Sequence, residues 1–134
     1  MAITILRLGS PRNTNEGLRL GTVRRPPRGV PKADFAKRNF YDVWLPNLSP
    51  SEPLLKQAIA SHGLSAAAQA RSWRAFERKF RAEMKQPDAS RLLDLLAALS
   101  HQTNFSLGCY CADESGCHRS ILRKLLEERG ASIV

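Results

Sequence analysis

An α/β fold, with a small and mainly parallel sheet, surrounding helices and a single domain over residues 1–134, is predicted by three features of this sequence. The opening "ITILRLG" alternates apolar and polar side chains, as a strand does. The middle third carries large apolar residues at helical spacing. The last third reads strand, loop, helix, strand, an order that favours parallel pairing through a crossover. With 43% hydrophobic and 25% charged residues, the chain has an ordinary globular balance and length enough for one core.

The elements follow in chain order. Ile3 to Gly9 is read as a buried first strand rather than a signal peptide, because no basic segment precedes its short apolar run. "SPRNTNEG" is dense in turn formers, and "LRLGTVRR" (Leu18 to Arg25) suits a second extended segment. "RRPPRGVPK" must be a loop, since three prolines and a glycine forbid helix or central strand, and it carries Arg24, Arg25, Arg28 and Lys32. "FYDVWLP" returns to strand-like composition. Ser49 is expected to cap a helix with Pro50 at its first position, running through Leu54, Leu55, Ala58 and Ile59 to Gly63. A longer helix places Trp73, Phe76, Phe80 and Met84 on one face, where they read as core residues. Pro87 opens another, with Leu92, Leu95, Leu96 and Leu99 expected to face inward. "NFSLGCYC" is extended, "CHRSILRKLLEER" helical, Gly130 its C-terminal stop and "ASIV" a final short strand.

The formal net charge of +9 favours anionic partners, whether nucleic acid, nucleotides or phosphorylated metabolites. No apolar stretch is long enough to cross a bilayer, so no membrane partner is expected. All three cysteines lie in "CYCADESGCHRS", an odd number in one cluster rather than a dispersed secreted framework, which predicts a reducing, cytoplasmic compartment.

That cluster is the candidate site, for ligands in parallel sheets collect where strand ends meet helix N-termini. Three chemistries and a bland alternative fit it. C-x-C-x5-C-H offers four soft ligands. Cys117 and His118, however, if adjacent on a helix, point about 100° apart, and paired C-x2-C knuckles are missing, so neither metal nor other cofactor is expected. With Ser115 as N-cap, the free N–H groups around Cys117 and His118 and the fork of Arg119 would make an anion site. The same field would activate Cys117 as a thiolate. Neither Cys109 nor Cys111 begins a C-x5-R phosphatase cradle, because Ser115 follows Cys109 by six and Cys117 follows Cys111 by six. The bland alternative is packing, with buried cysteines and His118 on the inward face beside Ile121, Leu122 and Leu125.

"CYCADESGCHRSILRKLL" resembles the C-terminal motif of the YeaO-like family, domain of unknown function 488, in which Cys-His-Arg opens a helix after an acidic turn. "RRPPRGVPK" resembles that family's Arg-x-x-Pro-Arg-Gly-Val loop through Arg24, Pro27, Arg28, Gly29 and Val30, and "WLPNLSPS" and "WRAFERKFRAEM" are similar to its central segments. Val23 and Pro26 stand where the family loop carries Asp and Trp, and Cys109 is additional to the pattern. The resemblance implies a compact α/β fold and a shared pocket of arginine and Cys-His-Arg, without an established activity.

The reading is therefore a protein that binds a phosphate-bearing or otherwise anionic small ligand through Arg24, Arg28, Cys111 and Arg119. Were the site catalytic, Cys117 would be the nucleophile and His118 the acid-base group. Two other classes stay open. One is nucleic-acid binding through Arg71, Arg74, Arg78, Lys79 and Arg81, a face interrupted by Glu77 and Glu83; the other is a regulatory interaction module without catalysis.

Overall fold

The computed structural model describes residues 1–134 and contains one four-stranded, all-parallel sheet. The strands are β1 (Ile3–Arg7), β2 (Leu18–Gly21), β3 (Val43–Trp44) and β4 (Phe105–Cys109), in the spatial order β1-β4-β2-β3. β4 comes last in the chain yet lies between β1 and β2. Ile3 stands opposite Phe105 and Arg7 opposite Cys109, while on the other side Leu18 pairs with Phe105 and Gly21 with Gly108. This placement has one consequence for function: the segments following β1, β2 and β4 all leave the sheet at the same end. The expected C-terminal strand is reduced to a single parallel bridge between Ile3 and Ile133.

Four helices supply the core: α1 (Glu52–Ala60), α2 (Ala66–Met84), α3 (Pro87–Leu99) and α4 (His118–Glu128). Phe76, Phe80 and Met84 of α2, Leu93 and Leu96 of α3, and Ile121, Leu122 and Leu126 of α4 pack on Ile3, Phe105 and Leu107. Ser65 caps α2, its Oγ accepting the N–H of Ala68 at 3.3 Å. Two expectations are corrected. α1 begins at Ser51 rather than Ser49, because Ser49 Oγ is already spent on the Pro46 carbonyl at 2.6 Å, in a short 3₁₀ turn. In α3 the inward stripe is Ala89, Leu93, Leu96 and Ala97, whereas Leu95 and Leu99 are 53% and 36% exposed. The alanines allow close helix approach, which rotates Leu95 into solvent.

The opposite face of the sheet carries no α-helix. It is covered by the segment between β2 and β3, whose Tyr41, Phe35 and Phe40 join Leu8 and Val23 in a second apolar cluster that also takes in Cys109 and Cys117 at the end of the sheet. Gly21 and Gly108 make that approach possible. A Cβ on Gly21 would collide with the Tyr41 ring, and one on Gly108 would come within 2.5 Å of the Leu8 side chain.

A buried ion pair pins this covering. Arg19 and Glu16 are 0% and 3% exposed and bond through two contacts, Nη2–Oε1 at 3.0 Å and Nε–Oε2 at 3.3 Å. The remaining guanidinium N–H groups donate to the carbonyls of Asn39 (2.6 Å) and Pro11 (3.0 Å), so one side chain ties two loops to β2. Beside it, Asp42 accepts the Arg19 backbone N–H at 2.8 Å and pairs with Arg12 at 2.9 Å.

Glu16→Ala leaves the Arg19 cation buried without its counter-charge and is expected to cost about 3–5 kcal/mol, read by urea denaturation. A loss under about 1 kcal/mol would show that the pair is dispensable. Burial alone would raise the Asp42 carboxyl, but hydrogen bonds from Arg12 and the Arg19 N–H outweigh it and hold the group below its ordinary value. The stability Asp42 contributes is therefore complete at neutral pH and lost as pH falls through that lowered value. Asp42→Asn is expected to lower the melting temperature at pH 7 and to flatten its decline in acid.

Candidate functional site

The common end of β2 and β4 is closed by a knot of short contacts. β4 ends at Cys109, and the chain turns through Tyr110 and Cys111 before reaching α4. Asp113 accepts the N–H and Oγ–H of Ser115 at 3.0 and 2.8 Å, forming a 3₁₀ turn over Glu114–Gly116. Ser115 is thereby consumed within the turn. The residue that begins α4 is Cys117, in an extended conformation with φ −126° and ψ 149°, correcting the expectation that Ser115 does so. Glu114 pairs with Arg123 at 2.7 and 3.1 Å, so neither nearby carboxylate belongs to the site.

Because Cys117 is extended, its side chain and that of His118 do not diverge as two helical neighbours would. The thiols of Cys109 and Cys117 lie 3.0 Å apart, and Cys117 Sγ is 3.7 Å from His118 Nδ1. His118 Nε2 sits 2.6 Å from the Thr22 carbonyl, a distance that requires the proton on Nε2 and leaves the Nδ1 lone pair toward the thiols. Thr22 in turn donates its hydroxyl to the Gly108 carbonyl at 3.0 Å. The Phe80 ring meets the imidazole edge-on. Burial pushes the His118 pKa down to about 4, so the ring is neutral at physiological pH.

All three cysteines are free thiols, and they share protons unequally. Hydrogen bonding with Cys109 and Cys117, helped by the nearby Arg119 charge, holds Cys111 down to about 2. Hydrogen bonding to Cys111 and Cys117, then burial, push Cys109 up. The bond from Cys109 would lower Cys117, but hydrogen bonding to Cys111, burial and the Cys111 charge raise it instead. The exposed thiol is thus the one drawn toward the thiolate form. Cys117, expected as the nucleophile, is 2% exposed and stands behind it.

Over this floor opens a cleft of about 330 Å³. Cys109, Cys111 and His118 form its base, Arg24, Arg25, Lys56 and the carboxylate of Glu52 its charged wall, and Val23, Leu55 and Ile59 its apolar wall. Concavities of about 380 and 410 Å³ lie elsewhere, but neither contains a thiol or an imidazole. The expected ligand residues separate into three places. Arg24 and Cys111 share the cleft; Arg24 donates to the Pro50 and Ser49 carbonyls at 3.0 and 3.2 Å, leaving Nη1 free of protein partners. Arg28 lines an adjoining groove with Pro26, Pro27 and Phe40. Arg119 is 3% exposed behind the turn, its Nη2 donating to the Cys111 carbonyl at 2.7 Å and its Nε without a partner. Sequence reasoning missed Lys56 and Thr22. Lys56 lies on the predicted α1, where a basic residue carries no mark of its function, and Thr22 contributes a carbonyl that any residue has.

A family model described as the active DUF488-N3 subclade matches residues 3–130, and the chain belongs to that family. No curated protein and no solved structure matches the chain. No helix is long and apolar enough to cross a membrane.

In reduced, metal-free protein, Cys111 is expected to react with iodoacetamide at least about tenfold faster than Cys109 or Cys117, measured by peptide mass spectrometry. Faster labelling of Cys117 would return the nucleophile to the helix start.

Proposed function

We propose that the protein binds a small ligand carrying a phosphate or other anionic group in the cleft at the ends of β2 and β4. The observation that carries this reading is the convergence, on one concavity, of two cations without carboxylate partners and an apolar wall. Arg25 is already paired with Glu52 at 2.7 Å, which leaves Arg24 and Lys56 as the available charges. Val23, Leu55 and Ile59 offer the ligand's body a surface of about the right character, since small-molecule sites combine apolar walls with a few placed polar groups. The anionic group would be held at the cationic wall, and the remainder would lie over Cys111 and His118. Binding is the reading; it assigns no reaction.

Arg119 has a different part from that of a ligand fork. Buried against the Cys111 carbonyl, it fixes the turn that presents Cys111 and adds positive potential beneath it. The alternative of nucleic-acid binding draws on the exposed Arg71, Arg74, Arg78 and Lys79 of α2, whereas Arg81 is engaged by Glu77 and Glu128 at 3.1 Å each.

Thermal shift against inorganic phosphate, nucleotides and sugar phosphates separates the two. A stabilising ligand is expected to bind about 10- to 100-fold more weakly to Lys56→Ala and to Arg24→Ala, the loss of one charge-assisted contact each. Lys56 makes no structural contact that would confuse the result with unfolding. Arg74→Ala with Arg78→Ala is expected to leave that ligand's affinity unchanged and to reduce only salt-dependent nucleic-acid binding. Unchanged phosphate responses in both cleft variants, with tight nucleic-acid binding destroyed in the α2 variant, would reverse the assignment.

A further inference from the structure

We propose that Cys109, Cys111, Cys117 and His118 form a tetrahedral site for a zinc-type divalent cation at the floor of the cleft. The inference stands on this cluster alone and does not depend on the ligand reading. The ligand atoms of Cys109, Cys117 and His118 all lie within 4.8 Å of one another, and all three residues are buried. Bonds of about 2.3 Å to sulfur and 2.0 Å to nitrogen set tetrahedral edges near 3.8 Å between sulfurs and about 3.5 Å between sulfur and nitrogen. The Cys117 Sγ to His118 Nδ1 distance of 3.7 Å is already close to that length. The 3.0 Å between Cys109 and Cys117 must open by less than an ångström, which a small side-chain rotation supplies.

Three surrounding features suit a metal site. His118 is oriented through its second nitrogen, Nε2–H on the Thr22 carbonyl at 2.6 Å, the arrangement that aims a histidine lone pair at an ion. The Cys111 N–H points at Cys109 Sγ, 3.4 Å away, a contact that favours thiolate over thiol. Finally, Arg119 is 3% exposed with no carboxylate partner and an unbonded Nε. A divalent ion with three thiolates and a neutral imidazole carries net charge −1, and the Arg119 guanidinium is the buried cation that balances it. Cys111 lines the cleft mouth outside that three-residue cluster, and its exposed side chain would turn inward to complete the set as the fourth ligand. Of the sequence-based objections to one ion, the divergence of a helical Cys117 from His118 is removed by the extended Cys117, while the absence of paired C-x2-C knuckles stands.

The test is titration of reduced, chelator-treated full-length protein with cobalt(II), followed by zinc competition. The expected result is one equivalent per chain, with visible bands of tetrahedral cobalt and thiolate charge transfer, displaced by zinc. Cys117→Ala is expected to weaken zinc binding at least about 100-fold, and Arg119→Gln by about 10- to 100-fold as a charge-balancing neighbour. Cys111→Ser, at an exposed position that does not threaten the fold, is expected to lose part of the charge-transfer intensity. Zinc is also expected to protect Cys111 from iodoacetamide. Octahedral cobalt spectra, absence of saturation at one equivalent, or spectra unchanged in Cys111→Ser and Cys117→Ala would overturn the proposal. So would a Cys109–Cys117 disulfide that persists in freshly reduced protein. None of these outcomes touches the Lys56 measurement, so the metal site and the ligand reading stand or fall separately.

Discussion

The hydrogen bond from His118 Nε2 to the Thr22 carbonyl joins elements that come from opposite ends of the chain. Thr22 is the first residue beyond β2, and His118 the first of α4. The same threonine is tied to β4, its N–H and hydroxyl both on the Gly108 carbonyl at 2.9 and 3.0 Å. Two strand ends and a helix start are thus fixed at one point, in a buried place where an unmet polar group costs about 1–3 kcal/mol. From that point the rest of the site follows. The imidazole cannot rotate, its free nitrogen must face Cys117, and the chain on either side must deliver Cys109 and Arg24 to the same cleft.

Buried charge is handled in two contrasting ways in this molecule. Arg19 has a full complement of partners: a carboxylate held by two contacts, two carbonyls and no solvent. Such a site is complete, and its work is to hold the covering loops on a sheet face that has no α-helix. Arg119 is equally buried but has one carbonyl and an idle Nε. Burying a cation costs several kcal/mol unless something offsets it, so an unpaired guanidinium indicates negative charge close by. This difference separates Arg119 from Arg19 more clearly than exposure does, since both are buried.

Much of the architecture was legible in the sequence because it depends on periodicity and on punctuation by proline and glycine. The alternation of Ile3 to Gly9, the Trp73-Phe76-Phe80-Met84 stripe and the Gly130 stop, at φ +79°, all reappear in the structure. The site was legible in composition but not in geometry. Cys117 next to His118 looked helical, and only the competing turn, in which Asp113 captures Ser115, displaces the helix start by two residues and makes Cys117 extended. Such a contest between two local hydrogen-bond patterns is nearly balanced in energy, so spacing alone does not decide it. Arg28 was unreadable for another reason: a rigid Pro-Pro-Arg-Gly loop fixes its own path without revealing which arginine it aims at a distant strand end.

The basic surplus also takes a definite form once the pairs are counted against the fold. Arg12, Arg25, Arg81, Arg123, Lys124 and Arg129 are all engaged by carboxylates, so much of the cationic character is already locally neutralised. The unengaged remainder includes Arg71, Arg74, Arg78 and Lys79 on the outer face of α2, Arg24 and Lys56 at the cleft, and Arg28, Lys32, Lys37 and Arg38 in the segment between β2 and β3. Charge spread over a convex helix gives a long-range field that salt screens within about 8 Å at physiological ionic strength. Charge set at the edge of a cleft is less screened and acts over the last few ångströms, where geometry selects the ligand. Net charge therefore bears on encounter with any polyanion, whereas in the proposed reading Arg24 and Lys56, on the wall above the Cys111 and His118 floor, would decide what is retained.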